Sequence, residues 1–249
     1  MSEEKKEGFF SPDTIAYYQK HNPFKKLHAI VYEALENAII TCAIPPGTRI
    51  SSTQIAEQLK VSRTPVEDAI LRLKESGLLC TRPGKKGLYT ISSTETMFDI
   101  SLSDLFEART AIECRAAYRC AQYNFDVDLA KLKALANMYY YSFEKNYFQK
   151  YALIDHSFHK FIVKSCGNPA LESMFNTIEK QSRYYSIRSQ SYIQQLSGES
   201  SLKVISRQHR NIYQAIESGS PEMAEHAMRE HLNYGLMMCM RYRDVDKSS

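Results

Sequence analysis

The run Ser51-Ser-Thr-Gln-Ile-Ala-Glu-Gln-Leu-Lys-Val-Ser-Arg-Thr-Pro-Val-Glu-Asp-Ala-Ile-Leu-Arg-Leu-Lys-Glu-Ser-Gly77 reads as two short helices joined by a tight break. Ser51 and Ser52 carry the side-chain oxygen that caps a helix start, so a short helix is predicted over Thr53–Leu59. Lys60-Val61 breaks it. Ser62 is a second N-cap candidate, and Pro65 fits the first turn of the next helix, where a missing N–H leaves no intrahelical bond unmade. Apolar residues at 66, 69, 70 and 73 give that helix a face to bury, and Gly77 ends it.

Outward from this pair the same pattern continues. Apolar residues at 27, 30, 31, 34, 35, 38 and 39 form the stripe of an amphipathic helix over Lys26–Cys42, and Ile44-Pro45-Pro46-Gly47 stops it. Downstream, Leu78–Arg82 and Leu88–Ser92 flank Pro83-Gly84-Lys85-Lys86-Gly87, which predicts a β-hairpin with a glycine-bracketed basic tip. Helix, short helix, turn, helix and basic hairpin make a winged helix-turn-helix. Such a fold lays the Ser62-capped helix in the major groove of DNA while the wing reaches a neighbouring phosphate or the minor groove. From Lys25 to Ser92 ten Lys/Arg face six acids, so this third of the chain holds the whole net charge of +4. That excess suits a polyanion partner.

Beyond Thr96 the character changes to sparse Pro and Gly with helical periodicity. Six helices are predicted, at about 98–123, 126–145, 147–165, 169–196, 200–218 and 220–242. The fold class is therefore mainly α: an N-terminal winged helix-turn-helix and a C-terminal all-α bundle of six to seven helices. The expected organisation is a loose arm over 1–24 with room for one short helix, a DNA-binding domain over 25–95 and a helical effector and dimerisation domain over 96–245.

Three stretches of that bundle share one chemistry: Asp155-His-Ser-Phe-His159, Gln208-His209-Arg210 and Arg229-Glu-His231-Leu232. Asp155 and His159 are four apart, so on a helix they share a face and can chelate one ion. With His209 and His231 from two further helices they would complete three imidazoles and one carboxylate. That set suits a divalent metal ion, zinc first and nickel or manganese as alternatives. His156 points about 100° away from Asp155 around the helix and is left out, as is His226.

These elements, taken in order, resemble the GntR superfamily of bacterial transcription regulators, in its FadR branch with an FCD-type effector domain. The resemblance rests on Ile44-Pro-Pro-Gly-Thr-Arg-Ile, Ile55-Ala-Glu-Gln-Leu-Lys-Val-Ser-Arg-Thr-Pro-Val, Leu71-Arg-Leu-Lys-Glu-Ser-Gly-Leu-Leu and Gly84–Gly87. In the second half it rests on Arg109-xxx-Glu113, Asp155-xx-Phe158-His159, Gly167-Asn168-Pro169, His209 and Ala227-Met-Arg-Glu-His231-Leu232. It implies that Asp155, His159, His209 and His231 ligate the metal. It also implies that a small carboxylate or sugar-acid effector binds there, and that Arg109 on the first bundle helix meets its negative charge. An Arg inside a bundle needs an anion, and the competing partner for Arg109 is Glu113 or Asp155 within the chain. Arg183 and Arg188, beside Tyr184 and Tyr185, are further candidates for the pocket.

On the DNA side the resemblance puts Arg63 at the start of the recognition helix, with Thr64 beside it able to touch phosphate. Lys85 and Lys86 form the wing tip. Two positions depart from the pattern: Glu67 replaces a second Arg, and Thr53 stands where some members carry a DNA-contacting Arg. Glu67 can accept from a cytosine amino group or pair with Arg63. Either the operator differs from the usual one or DNA affinity is reduced.

The function expected is a ligand-responsive regulator that binds operator DNA as a homodimer. Two alternatives stand beside it: a metal that is purely structural, with no metabolite sensed, and a metalloenzyme, against which no nucleophile or base neighbours the ligands. No apolar run is long enough to span a membrane, the start lacks the apolar core of a secretory signal, and the six cysteines show no paired spacing. A cytoplasmic protein with buried thiols is expected.

Overall fold

The computed structural model describes residues 8–21, 23–81, 87–92, 100–144, 148–192 and 198–246. The chain divides into two compact units, Met1–Asp99 and Ile100–Ser249.

In the first unit, α2 (Leu27–Ile40) is the amphipathic helix expected, with Ile30, Val31, Ala34, Leu35, Ala38 and Ile39 buried. Leu27, at the helix start, stays exposed. A fully buried Leu or Ile contributes about 1.5–3 kcal/mol, so this stripe outweighs the local preferences of α2. It packs on α4 (Arg63–Glu75), whose Val66, Ala69, Ile70 and Leu73 are buried. Between them in the chain comes α3 (Ser52–Leu59), which packs on α4 and is capped by Ser51 Oγ, which accepts from the Gln54 N–H at 3.2 Å. The break after α3 is made by Lys60, held in the left-handed region at φ 54°. Ser62 occupies the N-cap of α4 with an extended backbone, but its hydroxyl makes no capping bond. Gly77, at φ 75°, ends α4.

One element was not legible beforehand. Strand β1 (Arg49–Ser51) joins β2 (Leu79–Thr81) and β3 (Leu88–Ile91) in an antiparallel sheet of order β1-β3-β2. Within the stretch expected to be a loose arm, Thr14–His21 forms α1, which packs on α2, and the Phe9 N–H donates to Gln58 Oε1 at 2.8 Å. The hairpin tip with Lys85 and Lys86 lies outside the described residues.

The second unit is all helical among its described residues. Its first rod is not one helix. Helix α5 (Leu102–Arg109) passes through a π turn (Thr110–Cys114) into α6 (Arg115–Gln122). A 3-10 turn at Asn124–Asp126 leads to α7 (Leu129–Glu144), α8 (Phe148–Ser165), α9 (Pro169–Tyr192), α10 (Gly198–Glu217) and α11 (Pro221–Asp246). These ends fall within a few residues of those expected, because the same caps and breakers set them. Asn168 Oδ1, for example, accepts from the Ala170 N–H at 3.0 Å at the start of α9. Helix α8 packs on α7 and α9, while α11 packs on α10 and α6. Leu105, Ala116, Leu132, Phe158, Ile212 and Ile216 fill the space between them. No helix among the described residues is long and apolar enough to cross a membrane.

All six cysteines are thiols; Cys114, Cys120, Cys166 and Cys239 are buried as expected, whereas Cys42 is half-buried and Cys80 exposed. Burial pushes the Cys114 and Cys120 thiols up to about 12, leaving them unreactive.

Candidate functional site

The two members of the i,i+4 pair, Asp155 and His159, lie on the inward face of α8, where the bundle buries them at 7% and 2% exposure. Packing brings His209 of α10 and His231 of α11 to the same point, at 0% and 6% exposure. One donor atom from each of the four lies within 4.8 Å of the others. Asp155 Oδ1 is 3.3 Å from His209 Nε2, 3.8 Å from His159 Nε2 and 4.0 Å from His231 Nε2. His159 Nε2 and His231 Nε2 are 3.0 Å apart. Tetrahedral zinc with bonds of about 2.0–2.1 Å sets its ligand atoms roughly 3.3 Å apart, and the observed separations bracket that value.

A surrounding layer fixes which atoms converge. Glu113, wholly buried in the π turn, sets Oε2 2.5 Å from His159 Nδ1. Burial would raise its pKa, but the Arg109 guanidinium and the His159 ring nitrogen beside it outweigh that and bring it down to about 2. An ionised carboxylate only accepts, so Nδ1 is the nitrogen that would carry a proton toward it, which leaves Nε2 to face the centre. His231 Nδ1 faces Gln208 Oε1 at 3.2 Å, which leaves its Nε2 as the free lone pair as well. Ser186 Oγ donates to Asp155 Oδ2 at 2.6 Å, so Oδ1 is the oxygen left for the imidazoles. If neither Nε2 carries a proton, two lone pairs 3.0 Å apart repel unless a cation sits between them. The donor set and its orientation therefore fit a divalent ion.

Charge follows the same logic. Burial lowers the His209 pKa, and burial together with the neighbouring imidazoles lowers that of His231 well below the usual value, so both would be neutral donors near pH 7. Burial opposes ionisation of Asp155, but the three imidazoles that face it hold its carboxyl well below the usual carboxylate range.

Beside the four ligands lies a cavity of about 30 Å³ lined by Arg109, Asp155, Ser186, His231, Met238 and Cys239, among others. That is room for about one water. Arg109 forms the bridge anticipated as its competing role: Nε donates to Glu113 Oε1 at 2.6 Å, with both side chains buried. It nonetheless lines the cavity, so one guanidinium serves both. Arg183 lies one turn before Ser186 on α9, half-buried, and does not line the cavity. Tyr184 is wholly buried, and the Arg188 side chain lies outside the described residues. His156 instead meets Glu179 at 2.9 Å, and His226 is exposed beside Glu230, in keeping with leaving both out.

Glu113, Ser186 and Gln208 were not singled out by sequence as partners of the ligands. Their only signals were the four-residue spacing of Glu113 from Arg109 and the adjacency of Gln208 to His209.

On the first unit, Arg63 and Thr64 at the start of α4 and Thr53 at the start of α3 are exposed. Arg63 Nη2 donates to Glu67 Oε1 at 3.1 Å, the local pairing that the departure at 67 allowed. Both side chains are more than half exposed, so this bridge is worth about 0.2–0.5 kcal/mol. A bidentate guanine contact is worth about 1–3 kcal/mol, enough to draw Arg63 away.

Residues 27–87 match the gntR family of bacterial regulatory proteins, and residues 104–234 match the FCD domain. The chain is 26% identical over 215 residues to the HTH-type transcriptional repressor RspR of Escherichia coli K12, covering 85% of this chain and 88% of that one. It is 33% identical over 135 residues, 53% of this chain and 76% of the relative, to an uncharacterized HTH-type transcriptional regulator in a ttuE-ttuC' intergenic region of Agrobacterium vitis. Among solved structures, E. coli McbR/YncC shares the fold, with a TM-score of 0.70 at 20% identity over 88% of this chain and 99% of that one.

Proposed function

Since the chain belongs to the gntR family of bacterial regulatory proteins, with an FCD domain over most of its second unit, we propose that it is a metal-dependent metabolite sensor. As a family member it is a transcriptional regulator, with a DNA-binding unit and an effector domain, and not an enzyme. In the proposed reading it binds a two-fold operator as a homodimer in the cytoplasm. Arg63 reads a base, while Thr64, Thr53, Lys85 and Lys86 contact the backbone. Asp155, His159, His209 and His231 hold a divalent ion, zinc in the first instance, which would polarise and anchor an anion. A small carboxylate or sugar acid then binds beside it against Arg109.

The single observation that supports this reading is the cavity in which a cationic side chain and two of the four converging ligands share a wall. Because that cavity is of single-water size, the effector must part the helices around it. Such a shift between α5, α9 and α11 alters the bundle that sets operator spacing in a dimer.

The test is a thermal-shift series of carboxylic and sugar acids on metal-loaded and chelated protein, followed by operator titration with each hit. A hit that raises the melting temperature only with metal and changes operator affinity supports the reading. Loss of metal that lowers stability, with no acid binding in either form, favours a structural ion, to which the small cavity also lends support.

A further inference from the structure

Glu113 is the most buried carboxylate described, at 0% exposure, and it is not among the residues that line the cavity beside Arg109. Its place has a local cause. The π turn at Thr110–Cys114 inserts into an otherwise α-helical rod, and such turns re-aim side chains at sites of function. One oxygen of Glu113 receives Arg109 Nε at 2.6 Å and the other faces His159 Nδ1 at 2.5 Å. One carboxylate therefore joins the effector-facing guanidinium to a metal ligand.

We infer that Glu113 is a positioning residue that couples the two halves of the sensor: it holds His159 as the Nδ1–H tautomer, and Arg109's grip on it sets how strongly His159 donates to the ion. This rests on the metal reading above. A carboxylate behind an imidazole fixes the ring and makes its other nitrogen a better donor. Arg109 offsets that charge while it pairs with Glu113. An anion in the cavity draws on the guanidinium, returns negative charge to Glu113 and strengthens His159 on the metal. Metal and anion then bind with mutual reinforcement, and by linkage the reinforcement is equal in both directions.

The experiment titrates cobalt(II) and zinc(II) alone, with no organic ligand, into wild type, Glu113→Gln, Arg109→Gln and the double variant. Glu113→Gln keeps an acceptor of the same length but removes the charge. It is expected to weaken metal affinity about 10–100-fold. Arg109→Gln keeps a donor to Glu113, mimics withdrawal of the cation and is expected to tighten binding. In the Glu113→Gln background that gain is expected to vanish, because Arg109 acts through Glu113. Equal gains in both backgrounds would mean that Arg109 acts on the ion directly, and unchanged affinity in Glu113→Gln would remove Glu113 from the site; either result overturns the inference.

Wild type that binds no metal overturns the metal reading and the inference with it. Should a variant not fold, imidazole nitrogen NMR of zinc-loaded wild type decides, with the His159 signal assigned by its loss in His159→Gln. A proton on Nδ1 and zinc on Nε2 sustains the inference, and the opposite tautomer ends it.

Discussion

Acidifying the metal-free protein from about pH 7 to about pH 5.5 should remove up to about 2–3 kcal/mol of stability through two buried imidazoles. Burial depresses the folded-state pKa of His209, and burial with the adjacent imidazoles depresses that of His231. The unfolded chain binds a proton near pH 6.5, which the folded chain refuses. A group whose protons are taken up only on unfolding loses stability as pH falls below its unfolded value, by up to about 1.4 kcal/mol per pH unit. Across this window each imidazole that stays neutral contributes about 1 kcal/mol. Asp155 and Glu113 have depressed folded values as well, but their stabilisation is lost only below about pH 4, outside the window. For a chain of this size the drop corresponds to roughly 5–10 °C in melting temperature. The assay is calorimetric or circular-dichroism melting of chelator-treated wild type and His231→Gln at both pH values. The variant, with one imidazole fewer, should lose about half as much. Equal losses in the two proteins would refute the assignment of the pH dependence to this cluster.

Loading the site with zinc should raise the melting temperature, by about 2.7 kcal/mol of stability at a free metal concentration of 100 times Kd, and chelator should reverse it. His159→Ala and His231→Ala should each lower bound metal, read by elemental analysis of the purified protein; a double variant with wild-type content would sink the ligand set. Arg63→Ala should cost about 1–3 kcal/mol on operator and little on random DNA, measured by anisotropy titration. Replacing Lys85 or Lys86 by Ala should weaken all sequences alike and make the log–log salt dependence shallower by about one unit per lysine. Equal effects of Arg63→Ala on both DNAs would make it a phosphate clamp. Asp155→Ala should abolish the response of operator affinity to a carboxylate effector, which in wild type is expected to be roughly 5–150-fold. An effector that acts equally on both proteins binds elsewhere.

Local rules alone determined much of this protein. Helical period put Ile30, Val31, Ala34, Leu35, Ala38 and Ile39 on one face of α2 and Asp155 with His159 on one face of α8. Caps and breakers such as Ser51, Gly77 and Asn168 set where helices begin and end. Each depends on residues within about one turn, which is why a sequence displays them. What tertiary structure decided involves partners far along the chain. Strand β1 exists only because Arg49–Ser51 pairs with Leu88–Thr90, about forty residues later. The π turn inserts within an unbroken helical pattern and is seen only in the backbone. His209 and His231 meet Asp155 only when α10 and α11 pack beside α8, where Glu113 and Gln208 face Nδ1 of His159 and His231 and leave Nε2 of each toward the shared centre. Periodicity can say that a side chain faces inward. Which inward-facing atoms meet, and which proton each one carries, is settled by the packing of helices against one another.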